Sequence, residues 1–366
     1  MRAEAIIDLS AIKHNVALLK ERSGTNLLAV VKADAYGHGL VPVAKAALDA
    51  GASALGVALL EEAITLREAG ISAPILAWLL QPGSDFQSAI ENDIDIAAGS
   101  LKALHEIQSA STTKRARVHL ELDTGMTRGG FLGEWAKLQA SDFEGLDIVG
   151  VFSHFARADE PEQGQNQDQL KRFDEMVEAL EGFGLRNIIR HISNSAATLA
   201  NPAAASEMVR TGIAMYGLTP DLAMGSSRDF GLRPAMQLRA SLYLVKDVPA
   251  NTPVGYGASE LTSRDTKLGI VTMGYADGIP RIARGAGIWH NGERAPIIGR
   301  VSMDQFVVDL GPDSKAQSGD WVVIFGNGSH GEYTADDWGA ACGSINYEIV
   351  TRIGPRVPRI YTAHVY

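Results

Sequence analysis

The stretch Leu27-Leu-Ala-Val-Val31, a short apolar run that leads directly into Lys32, decides the fold because runs of the same kind recur. They follow at residues 54–58, 74–78, 93–97, 117–122, 147–152, 188–192 and 207–210. Stretches with helical spacing of apolar residues alternate with them, at 11–20, 41–50, 61–69 and 167–181. Short buried strands that alternate with amphipathic helices indicate a parallel α/β fold, and eight repeats favour a (β/α)8 TIM-type barrel over an open sheet.

The sequence changes character after Leu218. Proline and glycine separate short strand-like runs at 237–244, 267–272, 294–298, 305–310 and 320–325. Asn291-Gly292 is the strongest hairpin signal, because both residues tolerate the positive φ of a tight two-residue turn. We therefore predict a barrel over residues 10–234 and a mainly antiparallel β domain over residues 235–366, which residues 1–9 join as a strand.

Composition excludes several classes of protein. The net charge of −10 argues against a dedicated nucleic-acid or anionic-membrane partner. Cys342 is the only cysteine, so there is no internal disulfide, and no Cys/His spacing resembles a zinc site. No run approaches the ~18 apolar residues of a membrane span, and the amino terminus lacks the apolar core of a signal peptide. We expect a cytoplasmic protein without a metal.

Polar residues cluster where the predicted barrel strands end, which is where barrel enzymes carry their chemistry. A lysine that follows an apolar strand, such as Lys32, should have a lowered pKa, because burial disfavours its charged form. The runs at 188–192 and 207–210 lead into Asn194-Ser195 and Gly212-Ile213, at the position where barrels commonly bind a phosphate through backbone amides. A reactive amine together with a phosphate site points to pyridoxal phosphate (PLP) as cofactor.

Each of these residues also has an ordinary structural explanation. Lys32 alone could be a surface lysine, and Asn194-Ser195 could simply cap a helix. His154 could be a core histidine with its hydrogen bonds satisfied, and Arg210 could be a structural ion-pair partner. Their common position at one rim favours the functional interpretation.

The chain resembles the alanine racemase family along its whole length. The motifs that carry the resemblance are Ala29-Val-Val-Lys32-Ala-Asp-Ala-Tyr36-Gly-His-Gly39, Asp123-Thr-Gly-Met-Thr-Arg128, Phe152-Ser-His154-Phe-Ala156, Asn194-Ser-Ala-Ala197, Val209-Arg-Thr-Gly212-Ile-Ala-Met-Tyr-Gly-Leu218, Gly255-Tyr-Gly-Ala258, Gly274-Tyr-Ala-Asp-Gly278 and Gly299-Arg-Val-Ser-Met-Asp-Gln305. The resemblance implies a homodimer with active sites at the interface, which interconverts L- and D-alanine and supplies D-alanine for peptidoglycan.

The resemblance also implies a role for each site residue. Lys32 forms the Schiff base with PLP and acts as one base, and Tyr256 of the partner subunit is the second base. By the same resemblance, the residues that hold the cofactor phosphate are Tyr36, Asn194, Ser195, Gly212 and Ile213. His154 stacks near the pyridine ring, Arg210 hydrogen-bonds the pyridine nitrogen, and Arg128 reaches the cofactor hydroxyl and the substrate carboxylate. Tyr275 and Met303 line the path of the substrate. Tyrosine needs cationic or hydrogen-bonding neighbours to act as a base at neutral pH, and Arg210 and His154 are the candidates.

Two positions depart from the family pattern. Many members have a carbamylated lysine where this chain has Glu121, and we expect the Glu121 carboxylate to orient Arg128 directly or through a water. Some members have a tyrosine at the position of Pro355, so that hydroxyl is lost and the inner channel is expected to be wider.

Other functions stay open on sequence grounds. The nearest are a racemase for serine and one of broad specificity, because one hydroxyl or methylene changes binding by only ~1–3 kcal/mol. A PLP-dependent decarboxylase is disfavoured by Arg210, since that chemistry calls for a carboxylate at the ring nitrogen. A non-catalytic PLP-binding barrel is disfavoured by the second domain and by Tyr256, Tyr275 and Met303.

Overall fold

The computed structural model describes residues 1–111, 114–139, 141 and 143–363, which form two compact units. The barrel unit comprises residues 12–35 and 40–232. The β unit comprises residues 1–11, 36–39 and the chain from 233 onward. Residues 36–39, the last four residues of the motif that contains Lys32, therefore belong to the β unit.

The barrel unit is built on a parallel sheet. Its strands, numbered after an amino-terminal strand β1 (Ala3–Asp8), are β2 (Asn26–Val30), β3 (Ala54–Val57), β4 (Ile75–Ala77), β5 (Ile94–Ala98), β6 (Ala116–Glu121), β7 (Leu146–Phe152), β8 (Ile189–His191) and β9 (Met208–Thr211). They pair in the order 8-7-6-5-4-3-2-9. Beyond the end of β8, the backbone N–H of Arg210 donates to the Ser193 carbonyl at 2.9 Å, which links β9 to the β8 edge of the sheet. The predicted (β/α)8 barrel is confirmed.

Within the described residues, one helix precedes the first barrel strand, β2, and one helix follows each of the strands β2 to β8. They are α1 (Leu9–Ser23), α2 (Leu40–Asp49), α3 (Leu60–Glu68), α4 (Phe86–Glu91), α5 (Leu101–Ala110), α6 (Trp135–Gln139), α7 (Gly164–Gly182) and α8 (Ser195–Ala200). In α7 the buried residues Phe173, Val177 and Leu180 recur at helical spacing, so one face packs inward while the charged face stays in solvent. None of the helices in the described ranges is long and apolar enough to cross a membrane.

The β unit is mainly antiparallel, as predicted. Its further elements are β10 (Met236–Val248), β11 (Pro253–Val254), β12 (Glu260–Leu261), β13 (Thr266–Val271), β14 (Gly287–His290), β15 (Glu293–Pro296), β16 (Phe306–Asp309), β17 (Trp321–Phe325), α9 (Ala335–Cys342), α10 (Asn346–Thr351) and β18 (Arg359–Thr362). Strand β1 pairs antiparallel with β10 and parallel with β18. Asn291 (φ 47°) and Gly292 (φ 95°) form the predicted two-residue turn between β14 and β15.

Candidate active site

Lys32 lies where β2 ends. The Val31 N–H donates to the Gly56 carbonyl at 2.8 Å, which extends the pairing with β3 by one residue before the chain turns. The Lys32 Nζ lies 6.0 Å from the centroid of the Trp78 ring. Burial lowers the pKa of the Lys32 amine, the positive charge of Arg128 lowers it further, and Glu62 opposes this. The direction is the one expected for a lysine on an apolar wall.

The turn after Lys32 has a left-handed backbone conformation that its sequence does not predict. Ala33, Asp34, Ala35 and Tyr36 all have φ between 52° and 54°, a left-handed helical turn without any glycine. Each such residue costs roughly 1–2 kcal/mol relative to a right-handed turn, so the surroundings must hold the turn in place. The Ala35 N–H donates to the Val31 carbonyl at 2.8 Å, and the Asp34 carboxylate accepts from the Leu40 N–H at 2.8 Å.

Glu62, which the sequence interpretation missed, also supports this turn. Its Oε1 accepts from the Ala33 N–H at 2.5 Å, and its Oε2 accepts from the N–H groups of Ala58 and Leu59 at 3.0 and 3.1 Å. Glu62 occupies the third position of α3, where a glutamate commonly reaches back to the start of its own helix. That local signal was visible in the sequence, but its reach to the residue after Lys32 was not.

Arg210, on β9, is buried with 6 % of its surface exposed. It donates from NH1 to the His191 carbonyl at 2.6 Å and to His191 Nδ1 at 3.0 Å. It donates from NH2 to the Ser153 carbonyl at 2.6 Å and to His154 Nδ1 at 3.2 Å. Burial lowers its pKa to about 10, partly offset by Glu121, so the guanidinium is still protonated at neutral pH.

His154 is brought to Arg210, but it is neutral. Burial lowers its pKa to about 3, and the positive charges of Arg210, Arg128 and Lys32 act in the same direction. Of the two candidate neighbours of a tyrosine base, Arg210 is therefore the charged one, and His154 could contribute only a hydrogen bond. Asn194 Nδ2 lies 3.4 Å from His154 Nε2, at the limit of hydrogen-bonding distance.

Ser195, Gly212 and Ile213 converge at the ends of β8 and β9. The Ser195 hydroxyl accepts from the Gly212 N–H at 2.9 Å and from the Ala214 N–H at 3.4 Å. Ser195 and Ile213 are buried. Asn194 is a helix cap, as the structural explanation allowed, since its Oδ1 accepts from the Ala197 N–H at 3.0 Å. This places a hydroxyl and backbone amides at the rim position where barrels bind phosphate.

Glu121 ends β6 in a pocket of glycines. A Cβ added to Gly129 would lie 3.0 Å from its Oε1, and one added to Gly99 would lie 2.9 Å from its Oε2. Burial raises the pKa of the Glu121 carboxyl, while the charges of Arg128 and Arg210 lower it. Across the described ranges no ion pair within 4.0 Å joins Glu121 to Arg128, which is exposed. The loop between them is instead held by Asp123, whose carboxylate accepts from the N–H groups of Gly125 and Thr127 at 2.9 and 3.0 Å.

The remaining predicted residues lie in the β unit. Tyr36 is buried, and its ring centroid lies 6.2 Å from that of Tyr347. Tyr256 is 70 % exposed and Tyr275 is 41 % exposed. The side chain of Met303 is also exposed, and the chain there is tied to the turn of Tyr275, because the Ala276 N–H donates to the Met303 carbonyl at 3.0 Å.

Asp277 organises this part of the β unit, and the sequence interpretation missed it too. It is fully buried and forms ion pairs with Arg2 and, at 3.3 Å, with Arg356. Arg356 also reaches Asp304 at 2.7 Å, so one buried carboxylate ties the segments of Tyr275 and Met303 together. Pro355, next to Arg356, is exposed.

Comparison with known proteins gives the family. The models "Alanine racemase, N-terminal domain" and "Alanine racemase, C-terminal domain" match residues 7–220 and 235–361. The chain is 50 % identical to an alanine racemase of Salinispora arenicola, with 98 % of each covered, and 48 % identical to one of Thermobifida fusca, with 99 % of each covered. The crystal structure of alanine racemase from D-cycloserine-producing Streptomyces lavendulae superposes with a TM-score of 0.97 at 47 % identity, over 100 % of this chain and 98 % of that one. The chain belongs to the alanine racemase family.

Proposed function

We propose that this chain is a PLP-dependent alanine racemase that interconverts L- and D-alanine with two bases, Lys32 and Tyr256. The observation that carries the proposal is an amine with a lowered pKa at the end of a barrel strand, in a chain that resembles alanine racemases over its whole length. Racemisation removes the Cα proton on one face of the substrate and returns a proton on the other. Two bases on opposite faces achieve this without turning the substrate over.

The residues of the barrel unit fit PLP. Lys32 would anchor it covalently, the Ser195 hydroxyl and the Gly212 and Ile213 amides would hold its phosphate with Asn194, and His154 would lie against its ring. When bound, PLP supplies an electron-withdrawing ring that makes the substrate Cα–H acidic. The fit is supported by the Ser195 hydroxyl, which already gathers two backbone amides at 2.9 and 3.4 Å.

Lys32 and Arg210 have complementary roles in this proposal. A base must be unprotonated when it takes the proton, and burial together with Arg128 favours the neutral Lys32 amine. Arg210 would face the pyridine nitrogen. Because it stays protonated and can only donate, it disfavours a protonated ring and makes PLP a weaker electron sink. With a weaker sink, Lys32 or Tyr256 would return a proton to Cα quickly, and this suits racemisation better than transamination or decarboxylation.

The β unit supports a homodimer with shared active sites. Tyr256, Tyr275 and Met303 are large side chains that are 70 %, 41 % and 52 % exposed in the single chain. Tyr275 and Met303 adjoin, since the Ala276 N–H donates to the Met303 carbonyl, and neighbouring exposed aromatic and apolar side chains are typical of surfaces that another protein covers. We assign Tyr256 to the site of the partner subunit, with Tyr275 and Met303 lining the path of the substrate, and Arg128 to the substrate carboxylate.

The substrate class is a small amino acid, and alanine is preferred on the strength of the family. Serine or several small amino acids are the alternative, favoured by Pro355, which has no hydroxyl to narrow the channel. We place the enzyme in the cytoplasm, where it supplies D-alanine for peptidoglycan.

The proposal is tested with purified protein. The wild type should carry a visible absorbance from bound PLP that Lys32→Ala loses. Incubated with L-alanine in deuterium oxide, the wild type should abolish the circular dichroism signal of the substrate and place deuterium at Cα. Release of carbon dioxide, or an optical signal that persists without exchange, would contradict the proposal. The same assay with L-serine decides the substrate preference.

A further inference from the structure

A chain of polar side chains runs through the interior of the barrel behind Arg210. His191 Nε2, on β8, lies 2.9 Å from His119 Nδ1, on β6. His119 Nε2 lies 3.5 Å from Asp95 Oδ2, on β5. Asp95 is held in turn by Arg117, at 2.6 and 3.1 Å. Asp95, His119 and His191 are at most 5 % exposed. The proposed reaction assigns no task to Asp95, His119 or Arg117.

Only one arrangement of protons satisfies this chain. Arginine can only donate, so His191 Nδ1, 3.0 Å from Arg210 NH1, must be an acceptor. Burial, and then Arg210 and His119, hold the pKa of His191 well below its usual value, so this ring is neutral and its proton lies on Nε2. That proton is donated to His119 Nδ1. The proton of His119 then lies on Nε2, facing Asp95.

Asp95 is the acceptor at the end of the chain. Burial alone would raise the pKa of its carboxyl, but hydrogen bonds from His119 and Arg117 outweigh burial and lower the pKa. The carboxylate is therefore ionised at neutral pH. His119 Nε2 lies 3.5 Å from Asp95 Oδ2, longer than the roughly 2.7–3.2 Å usual for an N–H···O hydrogen bond, and the unprotonated carboxylate can only accept there. All donors in the chain point the same way, from Arg210 to Asp95.

The two imidazole rings are held in position by their neighbours. His191 stacks on Phe152, with ring centroids 5.2 Å apart and planes inclined by 9°. His119 fills the space left by Gly150 on β7, where an added Cβ would lie 2.2 Å from its Nδ1. Neither ring can therefore turn over to exchange its nitrogens without disturbing the barrel interior.

We propose that Asp95 and His119 are positioning residues for the racemase reaction: through His119, the Asp95 carboxylate holds His191 in the Nε2–H tautomer and so provides the acceptor that aims the Arg210 guanidinium. The effect on catalysis rests on the proposed role of Arg210 at the pyridine nitrogen. The tautomer of His191 does not depend on that role of Arg210, because every atom that sets the tautomer belongs to the barrel unit.

Asp95→Asn keeps the size of the side chain but replaces the last acceptor of the hydrogen-bonded series with an amide that can also donate. The introduced amide would turn its oxygen to Arg117 and its NH2 to His119, which must then accept at Nε2 and carry its proton on Nδ1. That proton points at His191 Nε2 and drives the His191 proton to Nδ1, against Arg210. Asp93→Asn is the matched control, because Asp93 lies two residues earlier and its exposed carboxylate pairs only with Lys114 among the described residues.

The measurement is the tautomer of each ring by ¹⁵N NMR of histidine-labelled protein, with and without PLP. The wild type and Asp93→Asn should show His119 and His191 as Nε2–H. Asp95→Asn should shift His191 to Nδ1–H and lower kcat by about tenfold, the equivalent of one hydrogen bond, with KM for alanine nearly unchanged.

Several results would overturn the proposal. One is an Nδ1–H tautomer for His191 in the wild type, a test that needs no variant. Another is an unchanged His191 tautomer in Asp95→Asn. A changed tautomer with a kcat equal to that of Asp93→Asn would refute the link to catalysis. Absence of racemase activity in the wild type would refute only the proposed function, since the tautomers are read in the protein without PLP.

Discussion

Glu62→Gln tests whether the Glu62 carboxylate is needed to hold the left-handed turn after Lys32. The two oxygens of Glu62 accept from three backbone N–H groups, those of Ala33, Ala58 and Leu59. Glutamine has one carbonyl oxygen, so it can serve Ala33 or the other pair, and its NH2 must face a donor on the remaining side. At least one hydrogen bond to a charged group is lost, which is worth roughly 1.5–3 kcal/mol.

The turn is sensitive to a loss of that size. Ala33 to Tyr36 are four residues without glycine, so together they store roughly 4–8 kcal/mol of conformational cost that their contacts must offset. If about 2 kcal/mol of support is lost at the turn, Lys32 is misplaced in a large fraction of molecules. We expect kcat to fall about 10- to 30-fold, since 1.4 kcal/mol corresponds to a factor of ten, and bound PLP to dissociate more easily.

The assay compares Glu62→Gln with Glu61→Gln, the same change at the adjacent, exposed residue of α3. Racemase kcat, the PLP content after dialysis and the melting temperature are measured for both. Glu61→Gln should behave as the wild type. Equal kcat and equal PLP retention in the two variants would refute the reasoning, and a lower melting temperature alone would show that Glu62 supports only the fold.

Two further predictions concern charge in the barrel. Glu121→Gln removes an anion whose charge interacts with those of Arg128 and Arg210, so we expect weaker PLP binding and a several-fold lower kcat, independent of carbon dioxide. Absorbance titration measures the binding and the racemase assay measures kcat, and unchanged values for both would show that Glu121 has no such role. His154 is unprotonated when folded, with a pKa of about 3, but binds a proton near pH 6.5 when unfolded, so its stabilising effect is lost as the pH falls below 6.5. Between pH 7 and pH 5 this effect lowers the free energy of unfolding, measured with urea, by about 2 kcal/mol. In His154→Gln the free energy of unfolding should therefore fall by about 2 kcal/mol less over the same pH range. An equal fall in the two proteins would contradict the assignment.

The fold could be predicted from the sequence because its signals are local. Each barrel strand is a short apolar run, and the observed strands agree with the predicted runs within one or two residues. The Asn291-Gly292 turn was equally visible, since the two residues allow the required positive φ. Strand β14 was not predicted, because Gly287–His290 has few branched apolar residues and is recognised only through its pairing with β15.

The site was only partly predictable. Motif residues such as Lys32, Ser195 and Arg210 lie at strand ends, where a barrel concentrates its chemistry. The left-handed turn at Ala33 to Tyr36 has no composition that signals it, because its support comes from Glu62 almost thirty residues away. The contacts of His191 with His119 likewise join positions 72 residues apart. Such partners are set by packing of the whole barrel and have no local pattern.

The assignment of the two bases is tested most directly by solvent exchange in Tyr256→Phe, which removes one proposed base and keeps its size. Separate samples of L- and D-alanine are incubated with the variant in deuterium oxide, and deuterium at Cα and enantiomer ratio are followed together. If Lys32 and Tyr256 act on opposite faces, one enantiomer should exchange its Cα proton with retention, the other should not exchange, and racemisation should be lost in both directions. Equal exchange of both enantiomers, or racemisation at the rate of the wild type, would contradict the two-base account.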